Sequence, residues 1–288
     1  METTLLFKTL VILSFQLGIV LFVCLYCLNG ARKAYENNTS FLGMLFRGSV
    51  NMKGQLDLIP YLKVKETFPK QMSKQIGKDN YETKQADNQD EVLELLRQDY
   101  FHASTEGQPW MVYFFVIWMV AMFGTLFLVS FFDVSPLLGF LTFTITSASF
   151  GPLLALIMLE MDENDGYTAL KIVLVVTILT GYIGYSDFYS FSENSVFGAI
   201  LMISLLGLLL FNLARFFIDI GRGTTRAAAI FGAFLFSCFL LYDFNYIKKR
   251  EGIYDLNNWE TALEMAFILY LDVINLLLEI LEAMGNSS

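Results

Sequence analysis

The sequence predicts an all-α membrane protein with seven transmembrane helices, a central last helix, and a hydrophilic insertion between the first two helices. Of its 288 residues, 55% are hydrophobic and 16% are charged, whereas soluble domains carry about 25% charged residues. A bilayer core of about 30 Å needs about 20 consecutive apolar helical residues, and seven segments of this chain meet or approach that length. The composition excludes a soluble enzyme with an ordinary polar surface.

The first apolar segment, residues 9–29, is longer than the apolar core of a signal peptide, and no Ala-x-Ala cleavage site follows it. We interpret it as a retained helix, with cleavage as the alternative. The other candidate spans lie near residues 111–132, 136–159, 168–186, 195–218, 227–247 and 260–282. The predicted organisation is a first transmembrane helix in residues 1–29, an extramembrane segment in residues 30–108 and a six-helix remainder in residues 109–288.

Residues 30–108 are the one hydrophilic segment of any size and hold 11 of the 19 Lys and Arg residues. The middle of this segment has few apolar residues, which predicts a loose chain. The stretches at residues 41–46 and 91–101 predict short amphipathic helices on the membrane surface or on a protein partner. A solvated linker is the favoured interpretation of the whole segment, and docking is the alternative. The expected partners are the lipid bilayer and, through docking, proteins bound by residues 30–108, whereas the net charge of −9 argues against nucleic acid.

The last candidate span contains a stripe of polar residues. At 100° per residue, its polar side chains fall within an arc of about 80°; they are Glu264, Asp272, Asn275, Glu279 and Glu282. An ionisable residue inside a span costs about 2.5–3.5 kcal/mol on insertion scales, so this face must look into protein or water. The other helices should therefore surround this one. Three of the five, Glu264, Glu279 and Glu282, could instead mark the helix ends at the interface, but Asp272 lies in mid-span.

Asp243, in the sixth candidate span, is the predicted partner of Asp272. The two residues are equidistant in sequence from Asn257 and Asn258, which lie in the natural turn between the last two spans. In an antiparallel hairpin they would lie at similar depth. Two carboxyl groups held together in a low dielectric share a proton, so such a pair can bind a cation when ionised and close when protonated. An interfacial position for Asp243 is the alternative.

The remaining candidate residues are assigned to an ion pathway and not to an enzymatic reaction. Arg215 lies four residues before Asp219 near the end of the fifth span, which predicts an interfacial ion pair, with contact to Asp243 or Asp272 as the alternative. We assign the two aspartates as the ion or proton site, and the pathway-lining candidates are Glu264, Asn275, Glu279 and Arg215. No nucleophile and base pair, phosphate loop or zinc-ligand spacing occurs, so we expect no enzyme and no resident cofactor or metal, with calcium as the candidate transported ion.

Two motifs in the last spans resemble a known family. YDFNYI at residues 242–247 and LYLDVINLLLEIL at residues 269–281 are similar to the YDTQ and LYLDxxN motifs of the Bax inhibitor family, also called transmembrane BAX inhibitor motif proteins. SASFGPL at residues 147–153 resembles the third span of that family, and residues 197–212 resemble its glycine-rich fifth span. The resemblance implies a seven-helix bundle around the last helix and a pH-sensitive calcium leak gated by Asp243 and Asp272.

The sequence also departs from the family pattern. Family members commonly carry an arginine in the second span, but residues 111–132 contain no charge; Phe244 and Asn245 replace the family's Thr and Gln; and the insertion of residues 30–108 is unusually long. These departures favour an alternative function, a structural or assembly subunit of a larger membrane complex.

Basic residues flank spans on both sides, so the positive-inside rule does not decide the orientation. The expected location is the endoplasmic reticulum, the mitochondrial inner membrane or a bacterial inner membrane.

Overall fold

The computed structural model describes residues 3–37, 39–42, 44–50, 56–61, 68–76, 81–102, 118, 120, 135–159, 163–186, 188–215, 217–218 and 220–285. The chain divides into two compact units. One, here the helical unit, comprises residues 1–28 and 124–288, and the other, here the mixed unit, comprises residues 29–123.

The described residues form seven α-helices: α1 (Leu5–Glu36), α2 (Gln89–Arg97), α3 (Pro136–Leu159), α4 (Glu163–Tyr185), α5 (Ser195–Ala214), α6 (Arg222–Glu251) and α7 (Trp259–Gly285). All of these except α2 are long and apolar enough to cross a membrane. The predicted spans at residues 9–29, 136–159, 168–186, 195–218, 227–247 and 260–282 are confirmed as helices of this kind. The predicted span at residues 111–132 lies outside the described residues, apart from Trp118 and Val120, so the count of seven stays a prediction.

Helix α7 is the most buried of the described candidate spans. Of its most apolar stretch, 61% is buried inside the protein, whereas the share in the other five ranges from 11% in α5 to 39% in α3. Helices α3, α4 and α6 all pack against α7. This agrees with the central position predicted for the last helix, because a helix with a polar stripe is stable in a bilayer only where protein covers that stripe.

Small residues allow the helices to approach closely. A Cβ atom added to Gly184 of α4 would lie 2.5 Å from the carbonyl oxygen of Leu241 in α6. A Cβ added to Gly151 of α3 would lie 2.6 Å from the Cβ of Val23 in α1. Such contacts are typical of membrane helices, whose association depends on close packing and not on the exclusion of water.

The described residues of the mixed unit form five strands and α2. Strands β1 (Leu45–Val50) and β2 (Leu56–Tyr61) pair antiparallel, and a second antiparallel sheet has the order β4 (Tyr81–Ala86), β3 (Lys70–Gln75), β5 (Phe101–His102). Helix α2 packs on this second sheet, and the core between them consists of Met72, Ala86, Val92, Leu95 and Tyr100.

The structure corrects two predictions for residues 30–108. The middle of the segment is not loose where it is described, because β3 and β4 pair there and bury Met72 and Ala86 against α2. The helix predicted at residues 41–46 is also wrong: Phe41 bridges Met44 across a turn at Leu42, which has a φ of 51°. A positive φ is incompatible with continuing a right-handed helix.

The helix predicted at residues 91–101 is confirmed from Gln89 to Arg97. Side chains cap its first turn, because Asn88 Oδ1 accepts from Glu91 N and Glu91 Oε2 accepts from Asp87 N. The apolar face of α2, with Val92 and Leu95, is covered by the adjacent sheet. That face is therefore occupied within the mixed unit and is not free to dock on a membrane or a partner.

Candidate functional site

The two aspartates lie together inside the helical unit. Helix α6 continues to Glu251, which places Asp243 eight residues, or about 12 Å, before the helix end. Asp272 lies in the middle of α7 and is 7% exposed. The two carboxyl groups lie within hydrogen-bonding reach of each other. The structure thus brings together the two residues that the hairpin symmetry paired, and an interfacial position for Asp243 stays the alternative.

The closeness of the two carboxyl groups has a chemical consequence. An ionised carboxylate only accepts hydrogen bonds, so two carboxyl groups can bond to each other only when one of them carries a proton. One oxygen of Asp272, Oδ2, is buried and has no hydrogen-bond donor among the residues that the structure describes. A buried acceptor without a donor is costly. The arrangement can therefore take up or release a proton and has an oxygen able to bind a cation.

Tyr270 packs the side of α7 that is opposite Asp272 against α3. Its side chain is 2% exposed, its hydroxyl lies beside Ser147 of α3, and its ring packs edge-on against Phe143 at a centroid distance of 4.9 Å. Because Tyr270 and Asp272 are two residues apart in a helix, they point in different directions. The rotation of α7 about its axis is thereby set so that Asp272 faces α6.

Arg215 does not join the aspartate pair. Its guanidinium group forms an ion pair with Glu282 near the end of α7 and donates to Asn212 Oδ1 at 3.2 Å. Glu282 lies ten residues, or about 15 Å, along the helix from Asp272. The alternative contact of Arg215 with the aspartates is therefore not seen, and Asp219, its other predicted partner, lies outside the described residues.

The other members of the polar stripe lie in three different settings. Glu279 is buried, and its carboxyl group packs on Gly232 of α6, where an added Cβ would lie 2.5 Å from Glu279 Cδ. Asn275 is half-buried between Asp272 and Glu279. Glu264, at the opposite end of α7, is exposed and pairs with Arg250 at 3.3 Å. The helix-end interpretation thus fits Glu264 but does not fit Glu279.

Asn245 is a structurally important residue that the sequence did not identify. It is fully buried, and its Oδ1 accepts from both the backbone N and the hydroxyl of Ser192, at 3.0 and 2.9 Å. Its Nδ2 donates to the carbonyl oxygens of Gly184 and Tyr189, at 3.0 and 3.3 Å. Asn245 therefore ties the connection between α4 and α5 to α6. Its position two residues after Asp243, where the family has Gln, was the available signal.

Lys8 is a second residue that the sequence left unassigned. Its ammonium group donates to the backbone oxygen and to Oδ1 of Asn257, at 2.8 and 3.1 Å, and Asn257 Nδ2 donates to the backbone oxygen of Thr3. These bonds fasten the start of α1 to the hairpin that joins the two aspartate-bearing helices. A lone lysine in an apolar N-terminal helix was the signal.

A bundle of helices long and apolar enough to cross a membrane, with two neighbouring carboxyl groups on α6 and α7, defines a multi-pass membrane protein. A family model described as "Inhibitor of apoptosis-promoting Bax1" matches residues 96–288, about two thirds of the chain. The chain belongs to the Bax inhibitor family, which confirms the resemblance drawn from residues 242–247 and 269–281. Residues 1–95, with α1 and strands β1 to β4, lie outside the matched range.

Proposed function

We propose that this chain is a pH-sensitive cation leak in an organelle membrane or a bacterial inner membrane, with calcium as the expected ion and Asp243 and Asp272 as the gate. The supporting observation is the pair of neighbouring carboxyl groups, in which Asp272 Oδ2 is buried with no donor among the described residues. The proposal assigns no enzymatic reaction to the chain.

The two protonation states of the pair supply the gate. With a proton between them, the carboxyl groups bond to each other and hold α6 against α7. When the proton leaves, two adjacent carboxylates repel each other and offer the hard oxygen ligands that calcium prefers. A site made of only two carboxylates binds a cation weakly, and weak binding suits conduction because the ion must also leave.

Asn275 and Glu279 extend the polar face of α7 from Asp272 toward the end of that helix. Glu279 lies seven residues, or about 10 Å, from Asp272 and is buried next to α6. The ion pair of Glu282 with Arg215 follows at the helix end. We assign this succession of polar groups as the route by which a cation or proton leaves the pair.

Calcium flux into liposomes that contain the purified chain tests this proposal. Flux through the wild type should fall as the pH is lowered, because protonation removes the charge that binds the cation. Asp272→Asn cannot ionise, so its flux should drop toward that of protein-free liposomes and lose its pH dependence. The matched control is Asp255→Asn, the same chemical change at an exposed residue of the hairpin, which should behave like the wild type.

A second candidate function is that of a structural or assembly subunit without transport. It is favoured by the mixed unit, which has its own core and lies mostly outside the family match. If this function is correct, the wild type and both variants give the flux of protein-free liposomes at every pH. The leak proposal fails on that result, and it also fails if Asp272→Asn conducts with unchanged pH dependence.

A further inference from the structure

Two cysteine thiols of α1 lie on the buried side of that helix. Cys24 is 2% exposed and Cys27 is 8% exposed, whereas their neighbours Phe22 and Tyr26 are 72% and 62% exposed. Residues three apart in a helix are neighbours on one face, with Cβ atoms about 5–6 Å apart, and these two thiols are close enough to interact electrostatically. The pair therefore points into the helical unit and away from the side of α1 that would contact lipid.

The thioether of Met158 in α3 meets this pair. Its sulfur atom lies 3.8 Å from Cys24 Sγ, and its side chain is buried. The methyl group of the same side chain packs on α4, since a Cβ added to Gly166 would lie 2.5 Å from Met158 Cε. Contacts with two helices thus hold the thioether sulfur next to the thiols.

The direction of α1 and α3 brings Cys27 to the same place. The two helices are parallel and touch at Gly151 of α3, where an added Cβ would lie 3.1 Å from the backbone nitrogen of Cys24. The backbone of Met158, seven residues after Gly151, therefore lies beyond Cys24 in the direction of Cys27. Long side chains of a helix point back toward its N-terminus, so the Met158 side chain passes Cys27 on its way to Cys24.

We propose that Cys24, Cys27 and Met158 bind one Cu(I) ion. Soft thiolate and thioether ligands select Cu(I), and three sulfur atoms complete a trigonal site for it. Sulfur atoms bound at about 2.3 Å to one metal ion in such a site lie about 4 Å apart, close to the 3.8 Å between Cys24 Sγ and Met158 Sδ. A structural Zn(II) site needs four ligands in a tetrahedron, and calcium prefers oxygen ligands.

Binding exchanges protons for the metal ion. Each cysteine binds as a thiolate, so Cu(I) displaces the two thiol protons, which pass to the solvent, and the copper keeps its oxidation state. This site is independent of the aspartate pair and does not require that the chain conducts ions. The sequence alone predicted no resident metal, because residue spacing on one helix cannot reveal a thioether ligand on another.

Competition with bicinchoninate, a coloured Cu(I) chelator, measures the site in the purified full chain under reducing, oxygen-free conditions. The wild type should remove one equivalent of Cu(I) from the chelator. Loss of a group that only hydrogen-bonds to a metal ligand costs about 10–100-fold in affinity. Cys24→Ser and Cys27→Ser each remove a ligand itself and should bind at least about 100-fold more weakly. Cys238→Ser, the same change at a thiol of α6, is the matched control and should bind like the wild type.

A pair of methionine variants tests the contribution of α3. Met158→Leu keeps the volume of the side chain but removes the sulfur ligand, and the affinity should fall by about tenfold or more. Met265→Leu, at a buried methionine of α7, should leave the affinity unchanged. X-ray absorption at the copper edge counts the ligands directly and should show three sulfur neighbours in the wild type and two in Met158→Leu.

The X-ray absorption spectrum of the wild type decides the outcome even if a cysteine variant fails to fold. Copper with nitrogen or oxygen neighbours, or with the same number of sulfur neighbours in the wild type and Met158→Leu, overturns the proposal. A wild type that removes no Cu(I) from the chelator overturns it as well. Equal weakening in Cys238→Ser and Cys24→Ser would mean that copper binds accessible thiols in general, and that result also contradicts the site.

Discussion

At the scale of single residues, Asn245 shows how a buried amide stabilises this bundle. Asn245→Ala would remove one acceptor and one donor, so that Ser192 and Gly184 lose a hydrogen-bond partner, whereas the Tyr189 carbonyl oxygen keeps its bond from Phe191 N. Leaving buried polar groups unpaired costs about 1–3 kcal/mol for each group that finds no water. We expect a loss of about 2–4 kcal/mol in the free energy of unfolding, measured as a lowered thermal transition in detergent.

Asn212→Ala is the control for that change. Among the described residues, Asn212 accepts one hydrogen bond, from the half-exposed Arg215, so its replacement should cost about 1 kcal/mol or less. Equal transitions for the two variants would show that the bonds of Asn245 do not stabilise the connection between α4 and α5.

Single residues also show which contacts of the site could be predicted from the sequence and which could not. Counting residues from the hairpin turn was enough to pair Asp243 with Asp272, because the depth in an antiparallel hairpin follows from chain length alone. Counting residues could not identify the partner of Arg215. Sequence spacing identifies neighbours on one helix, such as Asp219, but the contact with Glu282 depends on how α5 and α7 are placed and rotated.

At the scale of helices, glycine positions decide how closely α4 and α6 can pack. In Gly184→Ala, the new Cβ would lie 2.5 Å from a backbone oxygen of α6, and a backbone atom cannot move aside without shifting the helix. Overpacking of this kind costs about 1–3 kcal/mol, so the thermal transition should be lower. The matched control is Gly207→Ala in α5, where an added Cβ meets nothing within 4 Å.

Gly207→Ala should leave the thermal transition unchanged or raise it slightly, because alanine favours helix more than glycine does. If Gly184→Ala and Gly207→Ala gave the same transition, the close approach of α4 and α6 would not be a source of stability.

The mixed unit shows why composition misled the prediction for residues 30–108. The strands β3 and β4 contribute only Met72 and Ala86 to the core, and the rest of that core comes from α2 and Tyr100. Lys74 and Lys84 place their ammonium groups 5.7 and 4.8 Å from the centre of the Tyr100 ring, so charged residues also help to cover it. A count of apolar residues cannot detect a small core assembled from separate segments.

At the scale of the whole chain, the directions of α1 and α3 constrain the membrane topology. Gln16 Nε2 donates to Thr144 Oγ1 at 3.0 Å, and seven residues further along each helix Val23 lies against Gly151. The two helices are therefore parallel neighbours. Parallel neighbours that both cross a bilayer require an odd number of further crossings in the chain that connects them, as parallel strands require a crossover in a sheet.

This requirement gives the predicted span at residues 111–132 a topological role. The helix α1 has 32 residues and a length of about 48 Å, enough to carry the chain from one face of the membrane to the other. One crossing after it returns the chain to the face where α3 starts, and α3 to α7 then alternate. The ends of successive helices should therefore lie on alternating faces of the membrane, so that the face of one helix end determines the faces of all the others.

Single-cysteine labelling with a membrane-impermeant maleimide tests this topology. The chosen sites are exposed residues at helix ends, Glu36, Ser135, Gly223 and Ile253, each replaced by cysteine in a chain whose three native cysteines are changed to alanine. With seven crossings, the sites at 36 and 223 are labelled from one face of sealed vesicles, and the sites at 135 and 253 are labelled from the other. Labelling of 36 and 135 from the same face would mean an even number of crossings between α1 and α3. That result would contradict either the span at residues 111–132 or the parallel packing of the two helices, and labelling of 223 and 253 from opposite faces would still confirm that α6 crosses the membrane.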